Sequence, residues 1–253
     1  MTSATFPSPQ NSHVVSASVM LSRGDALFLD FDGTLAPLQD DPDAVRLLPA
    51  QLHTLHRLHH VLDGAICLIS GRDLDDLSIR TPDGIARVGN HGLRREGVGG
   101  GMEQDAPAAL ATGMQSLADA RVGVELERKG AVMALHYRQA PERGEDVQAD
   151  VSELLDSYPD YRLEHGKFVV EAKPLGASKG RALVEIMASP PFHGRRPVMF
   201  GDDVTDEAAF GAAQSLGGLG VKVGDGPSRA QARLGSPPDV FEALRTLLEE
   251  DTP

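Results

Sequence analysis

Three stretches of the chain share one pattern, a short apolar run that ends in small polar or acidic residues. The runs cover residues 26–29, 65–69 and 197–200. Apolar runs of this length, bounded by glycine and acidic residues, are typical of strands that are buried on both faces of a parallel sheet. Ligands of such a sheet bind beyond the carboxyl ends of its strands, so the pattern predicts one crevice there. The residues expected to meet in it are Asp30, Asp32, Ser70, Asp202 and Asp206.

Helical periodicity separates the predicted strands. Leucines recur at three- and four-residue spacing over residues 51–62, which predicts an amphipathic helix that covers the sheet. Further helices are predicted from Lys179 to about Met187 and over about 240–249, and a further strand near 219–223. Apolar strands that alternate with such helices predict an α/β fold with a parallel sheet.

A different pattern, paired strands with a helix between the pairs, fills residues 122–172. Alternating strands flank Lys129-Gly130 and, further along, Gly166-Lys167, so each flanking pair predicts a β-hairpin. The helix between them is predicted over 145–158. We therefore expect a small ββαββ domain inserted into the first domain. Several charged residues lie on or beside its hairpins, and from the residues alone a solvated sheet face explains them as well as a binding role does.

These patterns divide the chain into a tail, a core and a cap. Residues 1–24 are rich in serine, threonine, proline and asparagine and lack an apolar stretch long enough for a secretory signal, which predicts a loose tail. Residues 97–101 are rich in glycine but lack the helix start that a phosphate-binding loop requires, so we expect a hinge or linker. The predicted domains are 1–24 for the tail, 25–108 with 176–253 for the core, and 109–175 for the cap.

Composition and charge exclude several classes of protein. Apolar residues make up 41% of the chain and charged residues 24%, and no apolar run reaches the roughly 20 residues that a membrane span needs. The net charge of −13 argues against a nucleic-acid partner, and it requires local cations wherever an anionic substrate binds. Cys67 is the only cysteine, so the chain forms no internal disulfide, which suits the cytoplasm. Its apolar neighbours predict that it is buried in a strand.

The predicted crevice holds several carboxylates, which repel one another. Either the pKa values of these groups rise or a divalent cation holds them together, and hard oxygen ligands near a phosphate favour Mg²⁺. Lys179 would stabilise the carboxylates and hold a phosphate if it points inward, and would be an ordinary surface residue otherwise. His56 and His60 have the i, i+4 spacing of metal ligands, but no carboxylate or thiol lies at matching spacing, so an exposed helix face is expected.

Residues 30–35, Asp-Phe-Asp-Gly-Thr-Leu, resemble the signature of the haloacid dehalogenase superfamily of phosphotransferases. Six further motifs, in their order and spacing, resemble the trehalose-6-phosphate phosphatase family. The combination of Gly-Asp-Asp-Val-Thr-Asp-Glu at 201–207 with His-Tyr-Arg at 136–138 is specific, because the superfamily at large shares only the Asp, Ser, Lys and Asp markers. The other four motifs are Ser70-Gly71-Arg72, residues 89–92, Glu171-x-Lys173-Pro174 and Lys179-Gly180.

The resemblance implies a Rossmann-like core that performs the phosphoryl chemistry and a small α/β cap that selects the sugar. Asp30 would attack the phosphorus and form an aspartyl phosphate, while Asp32 would protonate the departing sugar oxygen and later deprotonate the attacking water. Ser70 and Lys179 would hold the phosphate oxygens. The implied reaction is the hydrolysis of trehalose 6-phosphate, the final step of trehalose biosynthesis.

The resemblance also implies ligands for a metal and for the sugar. Mg²⁺ would be held by Asp30, by Asp202 and by the backbone carbonyl of Asp32, with Asp203 or Asp206 in support. The cap residues that would bind the disaccharide are Glu127, Lys129, Arg138, Lys167 and Glu171.

Two other functions are consistent with the core motifs. The nearer is a phosphatase for another sugar or polyol phosphate, because the core residues do not contact the leaving group. The farther is a non-catalytic phospho-acceptor or sugar-phosphate-binding module. Asp32 and the inserted cap argue against it, since a phospho-acceptor needs neither a proton-transfer acid nor a disaccharide lid, and a lapsed enzyme would be free to lose Asp30 or Asp32. The expected partner is a small sugar phosphate, with no nucleic acid and no membrane, and the expected state is a cytoplasmic monomer or weak oligomer.

Overall fold

The computed structural model describes residues 20–99 and 105–249, which form two sheets with helices packed against them. The strands are β1 (Asp25–Leu29), β2 (Ile66–Ile69), β3 (Ala86–Gly89), β4 (Arg94–Glu96), β5 (Glu125–Lys129), β6 (Val132–His136), β7 (Tyr161–Gly166), β8 (Val169–Pro174), β9 (Arg196–Gly201), β10 (Leu219–Val223) and β11 (Ala232–Leu234). The α-helices are α1 (Pro49–Val61), α2 (Leu74–Ser78), α3 (Ala108–Asp119), α4 (Gly144–Leu155), α5 (Lys179–Met187), α6 (Glu207–Ser215) and α7 (Pro237–Glu249).

The larger sheet has seven strands in the order β11-β10-β9-β1-β2-β3-β4. All neighbouring strands are parallel except β3 and β4, which are antiparallel. Strand β1 lies between β2 and β9, so the three strands predicted from the apolar runs are neighbours. Their carboxyl ends therefore lie side by side at one edge of the sheet, as the sequence predicts.

The core of this sheet is built from the apolar runs and from the inner faces of the helices that cover it. All five residues of β1 are buried, and the charged one, Asp25, accepts two hydrogen bonds from Arg196 at 2.9 and 2.8 Å. Cys67 is buried in β2, as predicted. Helices α1, α5, α6 and α7 each contribute apolar side chains to the same cluster. A strand buried on both faces is stiff, which fixes the position of the residues that follow it.

The smaller sheet is antiparallel, with the strand order β5-β6-β8-β7. Its register places Glu127, Ala134, Glu171 and Glu164 opposite one another on one face. The apolar residues of the other face pack with α3 and α4 in a second hydrophobic cluster. The predicted ββαββ unit is confirmed, and one charged face of its sheet is left free to meet a ligand.

Helix α3 is an addition to the predicted cap. Its buried residues Leu110, Met114 and Ala118 recur every four positions and join the second cluster. The predicted boundary between core and cap, 108/109, falls at the start of this helix, and no helix was predicted there. The core also contains elements that were not predicted from the sequence: strands β3, β4 and β11 and helices α2 and α6.

Some predictions fall partly outside the described residues. These are the predicted tail over residues 1–19 and part of the predicted glycine-rich linker, residues 100–101. Within residues 20–24, Leu21 packs against the larger core. The domain boundaries at 108/109 and 175/176 stay a prediction. Over the two described ranges, none of the helices has the length and apolar character that a membrane crossing requires.

Candidate active site

A cleft lies beyond the carboxyl ends of β1, β2 and β9, which form its floor. The charged face of the smaller sheet forms one of its walls. Asp30, Ser70 and Asp202 directly follow these three strands, and all three line the cleft. Its volume of about 780 Å³ falls within the roughly 300–1,000 Å³ of small-molecule sites. The charged and polar residues that line it further include Asp32, Arg72, His91, Glu127, Lys129, His136, Glu171, Lys179 and Asp203.

The turn after β1 depends on Gly33. Its φ angle of 77° lies in the left-handed region, which glycine adopts without strain. A Cβ atom at this position would lie 2.0 Å from Oδ2 of Asp202. The glycine therefore allows the chain to turn and also allows the Asp202 carboxylate to lie against the backbone beside Asp30.

Lys179 joins two buried carboxylates at the floor of the cleft. Its Nζ donates to Oδ1 of Asp30 at 2.7 Å and to Oδ1 of Asp206 at 2.6 Å. The lysine lies at the first residue of α5, whose Ser178 N-cap accepts a hydrogen bond from the backbone N–H of Arg181. The inward position of Lys179, one of the two orientations that the sequence left open, is thus the one that the structure has.

Asp206 holds the loop that follows β9. Its Oδ2 accepts hydrogen bonds from the backbone N–H groups of Asp202 and Asp203 at 3.1 and 3.0 Å. On the other side of the loop, the buried ammonium of Lys222 donates to the carbonyl oxygens of Asp202 and Val223. These contacts fix the backbone from which the Asp202 carboxylate projects.

The carboxylates of the floor outnumber the cations that face them. Burial raises the pKa of Asp30 well above its usual range; the charge of Lys179 opposes this, and the charges of Asp206 and Asp202 add to it. Burial and the Asp206 charge raise the pKa of Asp202 to about 6. Burial alone would lower the pKa of Lys179, but Asp30 and Asp206 raise it. One ammonium does not neutralise this cluster, so the site favours a further cation.

The donor set fits a hard divalent cation. Carboxylate oxygens of Asp30, Asp202 and Asp206 all lie within 4.8 Å of one another. Oxygen ligands at this spacing suit Mg²⁺ or a similar ion. Asp206 accepts three hydrogen bonds, two of them from backbone N–H groups of its own loop, so it is the carboxylate best placed to orient the other two, Asp30 and Asp202.

Asp32 lies at the side of the cleft, where Arg72 binds its carboxylate with two hydrogen bonds. Nε donates to Oδ2 at 2.6 Å and Nη2 donates to Oδ1 at 2.7 Å. Burial works to lower the pKa of Arg72, but the hydrogen bonds to Asp32 and Asp76 raise it, so the guanidinium stays charged. From the sequence, Arg72 is recognised only as part of a motif. Its position two residues after Ser70, at the end of β2, is the signal that places it here.

The cap wall of the cleft presents a charged cluster around Glu127. Lys129 and His136 both contact Oε2 of Glu127, at 2.9 and 2.8 Å. The hydrogen bond with His136 has the largest effect on the pKa of Glu127. Together with Lys129 it lowers that pKa to about 2. The carboxylate is therefore charged at neutral pH and able to accept hydrogen bonds from a ligand.

A second cap carboxylate, Glu171, is held by a buried lysine. Lys173 lies two residues further along β8, and its Nζ contacts Oε2 of Glu171 at 2.7 Å and also contacts Glu164. Lys173 has a side-chain exposure of only 3%, so its charge requires these partners. From the sequence, Lys173 has no predicted role beyond its motif. Glu171, which lines the cleft, is consequently fixed in orientation.

The structure does not bring Arg138 and Lys167 to this cleft. Strand β6 ends at His136, so Arg138 lies two residues beyond it, and Lys167 lies in the turn between β7 and β8. Both side chains are exposed, and neither is among the residues that line the cleft. Of the His-Tyr-Arg motif at 136–138, His136 rather than Arg138 lines the cleft. Binding roles for Arg138 and Lys167 stay predictions.

His91 is a lining residue for which sequence reasoning offered no role. It is half-buried, and its ring lies so close to Gly71 that a Cβ there would be 2.6 Å from Cε1. Burial, and then the charges of Lys173 and Lys179, lower its pKa well below the usual range. The imidazole is therefore neutral at pH 7. His56 and His60 lie elsewhere, exposed on α1, and belong to none of the three-ligand groups found among the described residues.

Comparison with known proteins identifies the family. The family model described as trehalose-phosphatase matches residues 28–236. The chain belongs to the trehalose-phosphatase family. It is similar to "Trehalose-6-phosphate phosphatase" of Escherichia coli, with 38% identity over 239 residues that cover 91% of this chain and 90% of that protein. It is also 40% identical over 233 residues to "Probable trehalose-phosphate phosphatase" of Sinorhizobium fredii. That match covers 88% of this chain and 86% of that protein.

Solved structures show the same fold. The C-terminal domain of the trehalose-6-phosphate phosphatase of C. albicans matches with a TM-score of 0.69 and 23% identity, over 88% of this chain and 92% of that one. The predicted family and the predicted fold class, a Rossmann-like parallel core with a small α/β cap, are both confirmed.

Proposed function

We propose that this trehalose-phosphatase family member hydrolyses trehalose 6-phosphate to trehalose and phosphate through an aspartyl phosphate on Asp30. The observation that carries the proposal is the floor of the cleft, where Asp30 faces the buried ammonium of Lys179 at 2.7 Å. Its relatives in E. coli and S. fredii, whose names state this activity, support the substrate. The reaction would supply free trehalose, as the last step of its synthesis.

In the first half of the reaction, a carboxylate oxygen of Asp30 attacks the phosphorus as the bond from phosphorus to the sugar oxygen breaks. The departing sugar oxygen takes a proton from Asp32. In the second half, water attacks the phosphorus, the bond to Asp30 breaks, and Asp32 takes the proton that the water loses. Asp30 and Asp32 thereby return to their starting forms, and one water is consumed for each phosphate released.

Ser70 and Lys179 would hold the phosphate oxygens during both halves. Ser70 is buried at the end of β2, and its Oγ accepts a hydrogen bond from the backbone N–H of Arg72 at 3.1 Å, which leaves its hydroxyl proton for a phosphate oxygen. Lys179 is the principal cation of the floor. Its charge offsets part of the chain's net charge of −13 where the substrate's anionic group must enter.

Asp30 and Asp202, with the backbone carbonyl of Asp32, would hold Mg²⁺. When bound, the ion would neutralise the carboxylates and the oxygens of the transferring phosphoryl group. Asp206 would orient Asp202 by fixing the backbone on either side of it, and Asp203 is exposed beside it. The metal set predicted from the sequence is thus retained, with Asp206 in the supporting position.

Removal of divalent cations is expected to stop hydrolysis. EDTA should silence the enzyme and Mg²⁺ should restore it, because the crowded carboxylates otherwise repel the phosphate. Protons compete with the ion at Asp202, whose pKa is about 6, so the apparent Mg²⁺ affinity should fall as the pH drops below that value. Phosphate release and thermal unfolding with and without Mg²⁺ measure both effects. Full activity in metal-free buffer would contradict this assignment.

The cap residues that line the cleft, Glu127, Lys129 and Glu171, would bind the hydroxyl groups of the disaccharide. Charged groups make stronger hydrogen bonds to hydroxyl groups than neutral ones do, and the ion pairs of these residues hold them in fixed orientations. The core would bind phosphate and metal only. Selectivity for the sugar would therefore reside in the cap.

This division is expected to separate two kinds of substrate. Glu171→Ala should lower kcat/KM for trehalose 6-phosphate by roughly ten- to a hundredfold, since a hydrogen bond to a charged group is worth about 1.5–3 kcal/mol. Hydrolysis of a small aryl phosphate, which does not reach the cap, should hardly change. Arg138→Ala measured in the same way tests whether that exposed residue reaches the sugar. Equal loss of both substrates in Glu171→Ala would show that the residue supports the fold or cap closure instead.

The experiment that tests the function is phosphate release from a panel of sugar phosphates at equal concentrations, with and without Mg²⁺. Preference for trehalose 6-phosphate supports the proposal. Preference for another member supports the alternative, a phosphatase for a different sugar or polyol phosphate. Binding without release supports the non-catalytic alternative. The expected cytoplasmic location and the monomeric or weakly oligomeric state stay predictions.

A further inference from the structure

The guanidinium of Arg72 makes four hydrogen bonds at the side of the cleft. Besides its two hydrogen bonds to Asp32, it donates from Nη1 to Asp76 at 2.7 Å and from Nη2 to the carbonyl of Pro42 at 2.9 Å. Its Cζ also lies 5.5 Å from the centre of the Phe31 ring. These contacts join the loop after β1, the end of β2 and helix α2.

Four of the five N–H groups of Arg72 are used by these contacts. The side chain is 11% exposed, so little of it is free to meet a ligand. The planar fork matches the two oxygens of Asp32, which a lysine would contact at only one point. Arg72 therefore sets the direction of the Asp32 carboxylate and is itself fixed by Asp76 and Pro42.

We propose that Arg72 is a positioning residue for proton transfer: it holds Asp32 towards the oxygen that leaves phosphorus, and it does not bind the phosphate. This proposal rests on the proposed function of Asp32. Ser70 and Lys179 supply the phosphate contacts on the floor, whereas Arg72 lies at the side with four of its five N–H groups occupied. Loss of Arg72 should thus impair the step in which the leaving oxygen needs a proton, and should spare phosphate binding.

Arg80 provides a matched control because it shares the surroundings of Arg72 without touching Asp32. The carboxylate of Asp76 bridges the two side chains: Oδ2 accepts from Arg72 at 2.7 Å and Oδ1 accepts from Arg80 at 2.6 Å. Arg80 also donates to the carbonyl of Val45 at 2.7 Å, in the same loop as Pro42. A purely structural loss at this side of the cleft should therefore be reproduced by Arg80→Ala.

The test uses a series of substituted phenyl phosphates of similar size whose leaving phenols differ in acidity. None of them needs the sugar contacts of the cap. For Arg72→Ala we expect kcat/KM to depend more steeply on the acidity of the leaving phenol, with the poorest leaving group losing about a hundredfold and the best losing little. Inhibition by inorganic phosphate should stay unchanged. Arg72→Lys keeps the charge but loses the two-point contact with Asp32, so its losses of kcat/KM should lie between those of the wild type and of Arg72→Ala. It replaces the alanine variant in the test if that variant does not fold.

Two results would overturn the proposal. Equal losses across the series, as expected for Arg80→Ala, would assign Arg72 a structural role. Weaker inhibition by phosphate, with an unchanged dependence on the leaving group, would make Arg72 a phosphate ligand. The proposed substrate is tested separately, because a wild-type enzyme that cleaves the phenyl phosphates but not trehalose 6-phosphate would refute the sugar assignment and leave this comparison valid.

Discussion

Asp30→Asn is expected to lower the turnover of trehalose 6-phosphate by at least about a thousandfold, because it removes the attacking oxygen of the covalent mechanism. The fold should survive. Burial already favours the neutral form of Asp30 by raising its pKa, and asparagine is neutral with the same shape. Lys179 keeps Asp206 as a partner at 2.6 Å. Phosphate release measures the first effect, and thermal unfolding with and without substrate measures the second.

The control for this variant is Asp43→Asn. Asp43 also lines the cleft, but its side chain is 91% exposed, so the substitution removes one negative charge without touching the floor. Its turnover should stay close to that of the wild type. Turnover by Asp30→Asn at a similar level would end the covalent mechanism, whatever the substrate.

Lys179→Met is expected to abolish hydrolysis of every phosphate ester and also to destabilise the protein. The substitution leaves Asp30 and Asp206 buried without a cation, and breaking a buried pair in this way costs about 3–5 kcal/mol of unfolding free energy. This loss of unfolding free energy should shrink as the pH falls from about 7 to about 5. Crowded carboxylates with raised pKa values bind more protons in the folded state than in the unfolded state, so folding of the variant strengthens as protons are added.

Urea unfolding in EDTA at several pH values measures this effect. Lys167→Met removes the same charge from an exposed turn and should change neither the unfolding free energy nor its dependence on pH. If Lys179→Met were as stable as the wild type at neutral pH while remaining folded and inactive, the lysine would be needed for phosphate alone. The description of Lys179 as a structural cation would then be wrong.

The sequence predicts the parts of this molecule that depend on local pattern. The runs before Asp30, Ser70 and Asp202 are continuous apolar strands, and parallel strands in one sheet bring their carboxyl ends to the same edge. That reasoning placed three lining residues of the cleft correctly. The two hairpins of the cap follow in the same way from alternation around glycine turns.

The contacts that require tertiary structure were not predictable in the same way. Nothing in the sequence of β10 distinguishes Lys222. Its ammonium reaches the carbonyl of Asp202 because β10 lies beside β9 in the sheet. Arg72 reaches Asp32 across 40 residues of chain. The position of His136 in the cleft, with Arg138 outside it, depends on the residue at which β6 ends. Each of these depends on the arrangement of separate elements, which residue spacing does not encode.

The central claim, that Asp30 takes the phosphoryl group from trehalose 6-phosphate, is tested most directly by trapping the intermediate. The enzyme is mixed with the substrate and Mg²⁺, quenched within one turnover and treated with borohydride, which reduces an acyl phosphate to an alcohol. Mass spectrometry of the peptides then locates the change. The account predicts conversion of Asp30 alone, and none when trehalose replaces its phosphate ester. Conversion of a different carboxylate, or no phosphate release from trehalose 6-phosphate while another sugar phosphate converts Asp30, would contradict it.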